Sequence, residues 1–408
     1  MSRIVLGVSG GIAAYKACLL LRRFTEAGHQ VDVVPTANAL AFVGETTWAA
    51  LSGRPVHVGV LADAHEVNHV RLGREADLVV VAPATADLIA RAASGRADDL
   101  LTNVLLTASC PVVMAPAMHT EMWEHPATRA NVATLRARGV VVLRPAEGRL
   151  TGADSGAGRL PEPDDIEASA LAVLADRAAA SAMAAQDFAG RRVVVSAGGT
   201  REALDPVRFL GNRSSGLMGA ALARAAVQRG ADVTLVAANL TLDPPAGVRV
   251  VPVVSTADLA EAMDAESGCA DVIVMAAAPA DFTPVSASAT KLKKSGDAGL
   301  TVEFTQTTDV LARLAGRRLP GQVVVGFAAE TAADETELVR LGTAKLARKG
   351  CQLLVLNNVS GGAVFGAPDN QVLLLGPSGL LGRAEGSKTS VAHAILDAAN
   401  ALRERNHQ

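Results

Sequence analysis

Apolar residues in this chain fall into short unbroken runs that alternate with longer stretches of helical spacing. Ile4–Val8 is such a run, and it leads into a turn rich in small residues, with Gly7, Ser9, Gly10 and Gly11. Ala13–Ala27 follows with helical periodicity, and Gly28 stands where a helix C-cap belongs. Val31–Val34 reads as the next strand. Further buried strands are predicted at Leu78–Ala82, Val112–Ala115 and Val140–Leu143, each bounded by Pro, Gly or polar residues. Ile166–Gln186 is Ala-rich and predicted helical. Beyond Asp187-Phe188-Ala189-Gly190 the opening pattern returns: a strand at Arg192–Ser196, a turn at Gly198-Gly199-Thr200, and a helix at Leu217–Gln228 ending at Gly230. Strands at Val233–Ala237, Val272–Ala276, Val323–Gly326 and Leu353–Leu356 continue it. Apolar strands alternating with helices imply parallel sheets covered on both faces, so the fold class is α/β with two doubly wound, Rossmann-like domains. The boundary falls near residues 178–190. We place a first domain at 1–178, a linker at 179–190 and a second domain at 191–408. Strand order is not legible at this level.

Composition narrows the function classes. A length of 408 residues exceeds what one core usually supports, in agreement with two domains. Half the residues (50%) are apolar and 19% are charged, which fits a well-buried globular chain. Aromatics make up 3% and net charge is -3, so neither a stacking platform for nucleic acid nor a membrane belt is expected. Cys18, Cys110, Cys269 and Cys351 are widely spaced, a pattern suited to a reducing compartment rather than to a disulfide framework or a zinc site. The chain enters a strand pattern at once, without the apolar region of a signal peptide, and no segment reads as a membrane span. A cytoplasmic enzyme acting on small molecules is the expectation. Both glycine turns lack the spacing of a dinucleotide fingerprint or a P-loop, which disfavours a nicotinamide dehydrogenase.

Three segments of the first half sit at strand ends, where doubly wound sheets bind ligands. The turn Gly7-Val8-Ser9-Gly10-Gly11 offers N–H groups and a hydroxyl to a phosphate. Ala82-Pro83-Ala84-Thr85-Ala86-Asp87 follows one buried strand, and Met114-Ala115-Pro116-Ala117-Met118-His119 with Met122-Trp123 follows the next. His69 lies upstream. Taken alone, His69 is as readily a satisfied surface histidine, Met118, Met122 and Trp123 are packing residues, and Asp87 is a helix N-cap. Together, over residues 3–160, these segments resemble the homo-oligomeric flavin-containing cysteine decarboxylases. The resemblance implies a flavodoxin-like first domain holding FMN through Ser9, Gly10, Gly11, Thr36, Asn38, Ala84, Thr85, Asp87, Pro116 and Met118, often across a subunit interface. It also implies His69 as the catalytic base. In that chemistry, oxidation of a cysteine thiol to a thioaldehyde supplies the electron sink that lets CO2 leave. Two positions depart from the family: His119 replaces an Asn, and Gly152 occupies the place of a proton-donating Cys in a glycine-rich flap. The proton donor is then Asp154, His119 or a water, and Asp154 needs a raised pKa for that role.

The second half carries Ser196-Ala197-Gly198-Gly199-Thr200-Arg201-Glu202, Asp205-Pro206-Val207-Arg208 and Gly211-Asn212-Arg213-Ser214-Ser215-Gly216. Further on come Ala280-Asp281-Phe282, Lys291-Leu292-Lys293-Lys294 and Gly326-Phe327-Ala328-Ala329-Glu330-Thr331. On charge patterning alone the lysine run is a solvated surface, Phe327 is core, and Lys345 and Lys349 are one exposed helix face. In this order and spacing the segments resemble phosphopantothenate–cysteine ligase over residues 190–405. The resemblance implies that CTP, with Mg2+, activates the carboxylate of 4'-phosphopantothenate as an acyl-cytidylate, which the amine of L-cysteine then attacks. Asn212 is the implied orienting residue. Met275, Ala276, Ala277, Asp281, Lys291, Thr308, Asp309, Val310, Leu311, Phe327, Lys345 and Lys349 are the implied CTP contacts; metal ligands are unassigned. Departures are Leu217 for a Lys, Pro279 for a Val, Thr307-Thr308 for Asn-Pro, and Asn358 for an Asp. The two resemblances together imply consecutive steps of coenzyme A biosynthesis in a homo-oligomer, with trimeric decarboxylase units joined by ligase dimers up to a dodecamer. The rivals are a ligase whose flavin half no longer decarboxylates, and a regulatory flavoprotein.

Overall fold

The computed structural model describes residues 1–59, 68–149, 154–293, 300–359 and 369–405. The chain divides into two compact units, Met1–Asp187 and Phe188–Gln408.

The first unit begins with β1 (Arg3–Val8), α1 (Ala14–Glu26), β2 (Gln30–Pro35), α2 (Ala37–Leu40), α3 (Glu45–Ser52) and α4 (Asn68–Glu75). It continues through β3 (Leu78–Ala84), α5 (Ala86–Ser94), α6 (Leu100–Thr107), β4 (Val112–Pro116), α7 (Thr120–Glu124), α8 (Pro126–Ala137) and β5 (Val141–Val142). A hairpin of β6 (Ala146–Arg149) and β7 (Ser155–Arg159) precedes α9 (Pro163–Ala175) and α10 (Arg177–Ala185). The parallel sheet has the order β2-β1-β3-β4-β5. Alternation along the strands explains why both faces are covered. Ile4, Leu6, Val8, Leu78, Val80 and Val113 enter the core beneath α1, α9 and α10, whereas Val5, Val79, Val81 and Met114 enter the one beneath α5, α6 and α8. Gly28, at φ +84°, ends α1 as expected.

The helix expected over 166–186 is two helices. Asp176 adopts an extended backbone between them, and its carboxylate accepts from Ala178 N at 2.8 Å, capping α10 as α9 ends. The stretch expected as linker is also different: Ala180, Met183 and Ala184 of α10 belong to the first unit's core, so the chain passes to the second unit at Asp187/Phe188.

The second unit opens with β8 (Arg192–Gly198), the short hairpin β9 (Arg201–Ala203) and β10 (Phe209–Gly211), α11 (Leu217–Gln228), β11 (Asp232–Ala238), β12 (Val248–Val253) and α12 (Thr256–Ser267). Then come β13 (Val272–Met275), the hairpin β14 (Phe282–Pro284) and β15 (Phe304–Gln306), α13 (Val310–Gly316), β16 (Val323–Glu330), α14 (Glu335–Lys349) and β17 (Leu353–Asn358). β18 (Asp369–Gly376), β19 (Gly379–Ser387) and α15 (Lys388–Arg405) complete it. Its sheet runs β12-β11-β8-β13-β16-β17-β18-β19, parallel through β17 and antiparallel after it. Val193, Val195, Val272, Val274, Val323 and Val325 pack beneath α11 and α15. The intervening Val194, Ile273, Val324 and Leu354 pack beneath α12, α13 and α14. Among the described residues no helix is long and apolar enough to cross a membrane.

One buried group makes this unit acid-sensitive. His393 on α15 is fully buried, neither ring nitrogen has a partner among the described residues, and the Arg229 guanidinium donates to its carbonyl oxygen at 3.1 Å. Burial, assisted by the Arg229 charge, pushes its pKa down from 6.5 to about 3. The folded unit therefore refuses a proton that the unfolded chain accepts. Stability is complete above pH 6.5 and falls as pH drops toward about 3. The expected slope from this group is about 1.4 kcal/mol per pH unit. Urea unfolding of wild type and His393→Leu over that window should show a wild-type slope steeper by this amount. Parallel curves would contradict it.

Candidate functional site

In both sheets, strand order reverses once and the chemistry-bearing segments gather at that point. In the first unit the reversal lies between β1 and β3. Ser9 is buried there and joins the two strand ends: its Oγ donates to Pro83 O at 2.7 Å and accepts from Thr85 N at 3.0 Å. Its own N–H donates to Pro83 O at 3.2 Å, so the polar groups of Ser9 are committed to shaping the turn. Thr36 N donates to Val8 O at 2.9 Å, and Thr36 Oγ1 caps α2 by accepting from Ala39 N. Gly10 must be glycine, because a Cβ there would lie 2.3 Å from Asn38 Cβ; one on Gly11 would touch Thr85 Cγ2 at 3.6 Å. Ala117 N donates to Ala84 O at 3.1 Å, bringing Pro116 and Met118 alongside. The opening turn, Thr36, Asn38, Ala84, Thr85, Pro116 and Met118 thus come together as one cradle at the strand ends. Asp87 is exposed on α5 and pairs with Arg91 at 3.0 Å; the capping role considered for it is filled by Thr85, which accepts from Leu88 N.

The flap docks on this cradle. Met118 N donates to Gly158 O at 2.9 Å, and Gly158 holds φ +149° with space for a Cβ blocked by Met118 O at 2.2 Å. Gly156 similarly approaches Thr120 of α7. His119, at the N-cap of α7, and Asp154, at the start of the flap's return, are both exposed and lie on these adjoining elements. Gly152 lies outside the described residues. His69 sits elsewhere, half-buried on α4, with its carbonyl accepting from Thr107 Oγ1 of α6 at 2.8 Å. Its buried Nδ1 has no hydrogen-bond partner among the described residues. Gly158→Ala should lift the flap, lowering the CO2 release that the resemblance implies by about tenfold or more while the implied ligation is unchanged. A radiometric CO2 assay checks this, and wild-type release would contradict the flap's role.

In the second unit the reversal lies between β8 and β13, and a cleft of about 840 Å³ opens there. Asn212, Met275, Ala276, Ala277, Asp281, Thr308, Asp309, Val310, Leu311, Phe327, Lys345 and Lys349 all line it. Lys291 does not. It is exposed, on a loop fixed by Asp205, whose buried carboxylate accepts from Leu292 N at 3.1 Å and from Arg208 Nη1 at 2.8 Å. Lys294 lies outside the described residues. The turn at Pro279–Asp281 is held from several sides. Asn212 Nδ2 donates to Pro279 O at 2.8 Å, Ala280 N donates to Thr200 Oγ1 at 2.8 Å, and Thr307 Oγ1 donates to Ala280 O at 2.6 Å. Behind Thr200, the hydroxyl of Thr256 lies at 2.9 Å and itself donates to the buried carboxylate of Glu202 at 2.9 Å.

Two of the family departures thereby acquire structural roles. Thr307 ties the two cleft walls, and Asn358 donates to Ala332 O at 3.0 Å, which an Asp at that place has no N–H to do; nothing in the structure explains Pro279 in place of Val. Lys345 pairs with Glu330 at 2.7 Å and Lys349 with Asp309. Burial opposes the Asp309 charge, but the Lys349 ammonium and the Ala312 N–H overcome it and hold the carboxyl below its ordinary range. Phe327 both lines the cleft and packs against the core. Sequence reading missed Met218, Gln306, Asn357, Asn370 and Lys388, which also line the cleft.

Comparisons with known proteins agree with this division. Residues 1–174 match the family described as Flavoprotein, and residues 188–402 match the DNA/pantothenate metabolism flavoprotein C-terminal domain. The chain is 56% identical over 402 residues to the coenzyme A biosynthesis bifunctional protein CoaBC of Mycolicibacterium smegmatis, covering 97% of this chain and 96% of that protein. It is 42% identical over 375 residues to the CoaBC of Bacillus subtilis, covering 91% and 89%. The crystal structure of the C-terminal domain of a CoaBC overlays with a TM-score of 0.45 at 32% identity, covering 54% of this chain and 99% of that one. The chain belongs to the family of coenzyme A biosynthesis bifunctional proteins, and is a decarboxylase and ligase in one polypeptide.

Proposed function

We propose that the second unit uses CTP, with Mg2+, to join L-cysteine to 4'-phosphopantothenate through an acyl-cytidylate. The first unit, holding FMN, then decarboxylates 4'-phosphopantothenoylcysteine to 4'-phosphopantetheine. The observation that carries the ligase reading is one cleft, at the sheet's reversal, lined by Asn212 and by every expected nucleotide residue except Lys291. A carboxylate resists amine attack until it gains a good leaving group, and Asn212 stands where it orients the activated acyl group. Lys345 and Lys349 would exchange their carboxylate partners for nucleotide oxygens on binding, and Asp281 and Asp309, the acidic residues among the described cleft lining, would be the groups available to a Mg2+ carried by the nucleotide.

The cradle of the first unit would receive the flavin phosphate. Gly10 and Gly11 let the turn close on Asn38 and Thr85, and the Thr36 and Thr85 side chains cap the adjoining helices. FMN, when bound, supplies the two-electron chemistry that gives the departing carboxylate an electron sink. His69, which lies apart from the cradle within one chain, moves the proton at substrate across a subunit interface, and the flap of β6 and β7 excludes water above the cradle. His119 and Asp154, on the adjoining elements, are the groups placed to return a proton. The exposed apolar residues Ile12, Tyr15, Leu19 and Phe42 of the first unit, and Val207, Phe209, Phe282 and Phe304 of the second, support a homo-oligomer, for which the family resemblance implies trimeric decarboxylase units joined by ligase dimers up to a dodecamer. The enzyme works in the cytoplasm, with neither nucleic acid nor membrane as partner. Purified protein should be yellow, release FMN on denaturation and form CO2 from 4'-phosphopantothenoylcysteine. A colourless protein that takes up no FMN would overturn the first half of this reading, and absence of CTP-dependent CMP formation would overturn the second.

A further inference from the structure

The nucleotide cleft has a basic residue on each face of the sheet. Lys345 and Lys349 belong to α14, which packs on the face shared with α12 and α13, and both are paired with carboxylates. Lys388 opens α15 on the other face, beside α11, and its side chain also lines the cleft. Around it the lining is built from amides. Asn357 Nδ2 donates to Asn370 Oδ1 at 2.6 Å, and Asn370 Nδ2 reaches Met218 Sδ at 3.8 Å. Lys388 Nζ donates to Asp369 O at 3.4 Å and is half-buried, and burial, opposed by the Asp369 charge, lowers its pKa. Leu217 lines the same cleft without charge, at the place where the ligase pattern has a lysine.

We propose that Lys388 binds a substrate phosphate in this cleft, supplying from α15 the positive charge that Leu217 does not supply from α11. The proposal rests on the ligase reading of the second unit. An ammonium among amide donors is suited to phosphate oxygens, where charge-assisted bonds are the strong ones. Two substrates carry phosphate, the nucleotide with its polyphosphate chain and the acid with its phosphomonoester, and kinetics separates them.

In the full-length, flavin-loaded protein, Lys388→Met should raise the KM of the phosphate-bearing substrate it holds by about tenfold or more and leave the other within about twofold. A rise for CTP assigns the nucleotide chain; a rise for 4'-phosphopantothenate assigns the acid. Lys388→Arg should recover most of the loss, and the thermal midpoint of both variants should equal that of wild type. Unchanged KM values for both substrates in Lys388→Met, or a fall in kcat alone accompanied by a lower thermal midpoint, would overturn the proposal. Calorimetry with inorganic triphosphate separates this from failure of the ligase reading. Weakening by about tenfold in Lys388→Met supports the phosphate site even if wild type forms no CMP, and equal binding of triphosphate together with an unchanged KM for 4'-phosphopantothenate overturns it.

Discussion

Substitution of His69 by Ala should remove CO2 release from 4'-phosphopantothenoylcysteine, by at least about 10²-fold, while CTP-dependent ligation continues at the wild-type rate. A positioned base is worth that much because the proton must move as the electron pair does. The change is local. α4 is fastened to α6 through the backbone carbonyl of His69, which accepts from Thr107, and that bond survives loss of the imidazole. The buried Nδ1 leaves no partner stranded, since it has none among the described residues. Bound flavin, read from its visible absorption, should therefore be retained. CO2 release within a few-fold of wild type would remove His69 from the mechanism, and joint loss of flavin and activity would make it a structural residue.

Asn212→Ala should have the reverse selectivity. CMP formation is expected to drop by about 10²-fold, with decarboxylation of added 4'-phosphopantothenoylcysteine unaffected. Asn212 is exposed at the cleft and ties the loop before α11 to the turn at Pro279, so its removal takes away both the proposed acyl-orienting group and the tie that holds one wall of the cleft. Asn212→Asp keeps the size but has no N–H to give Pro279 O, and should be nearly as defective. Retention of wild-type CMP formation by either variant would contradict the role given to this residue.

The parallel strands were legible because burial on both faces leaves unbroken apolar runs, as at Leu78–Ala82 and Val323–Gly326, and glycine turns mark where they end. Strand order was not, because register is decided by packing between distant segments. Ala-rich composition concealed the break at Asp176, where one carboxylate ends α9 and starts α10. The antiparallel hairpin of β18 and β19 also escaped reading, although Gly376-Pro377-Ser378-Gly379 is a turn between two apolar runs. That hairpin explains two of the missed cleft residues. It pairs Asp369 with Ser387 and Asn370 with Gly386, which returns the chain so that Asn370 and Lys388 meet at one end of the cleft. No local motif announces Lys388. Lys291 shows the opposite case: a recognisable motif whose loop is fastened by Asp205 outside the cleft.

Cysteine labelled at its carboxyl carbon, supplied with 4'-phosphopantothenate and CTP, tests the two-step account most directly. The account predicts CMP and labelled CO2 in equal amounts at completion, both absent when CTP is withheld. CMP without labelled CO2, or labelled CO2 without CTP, would contradict it.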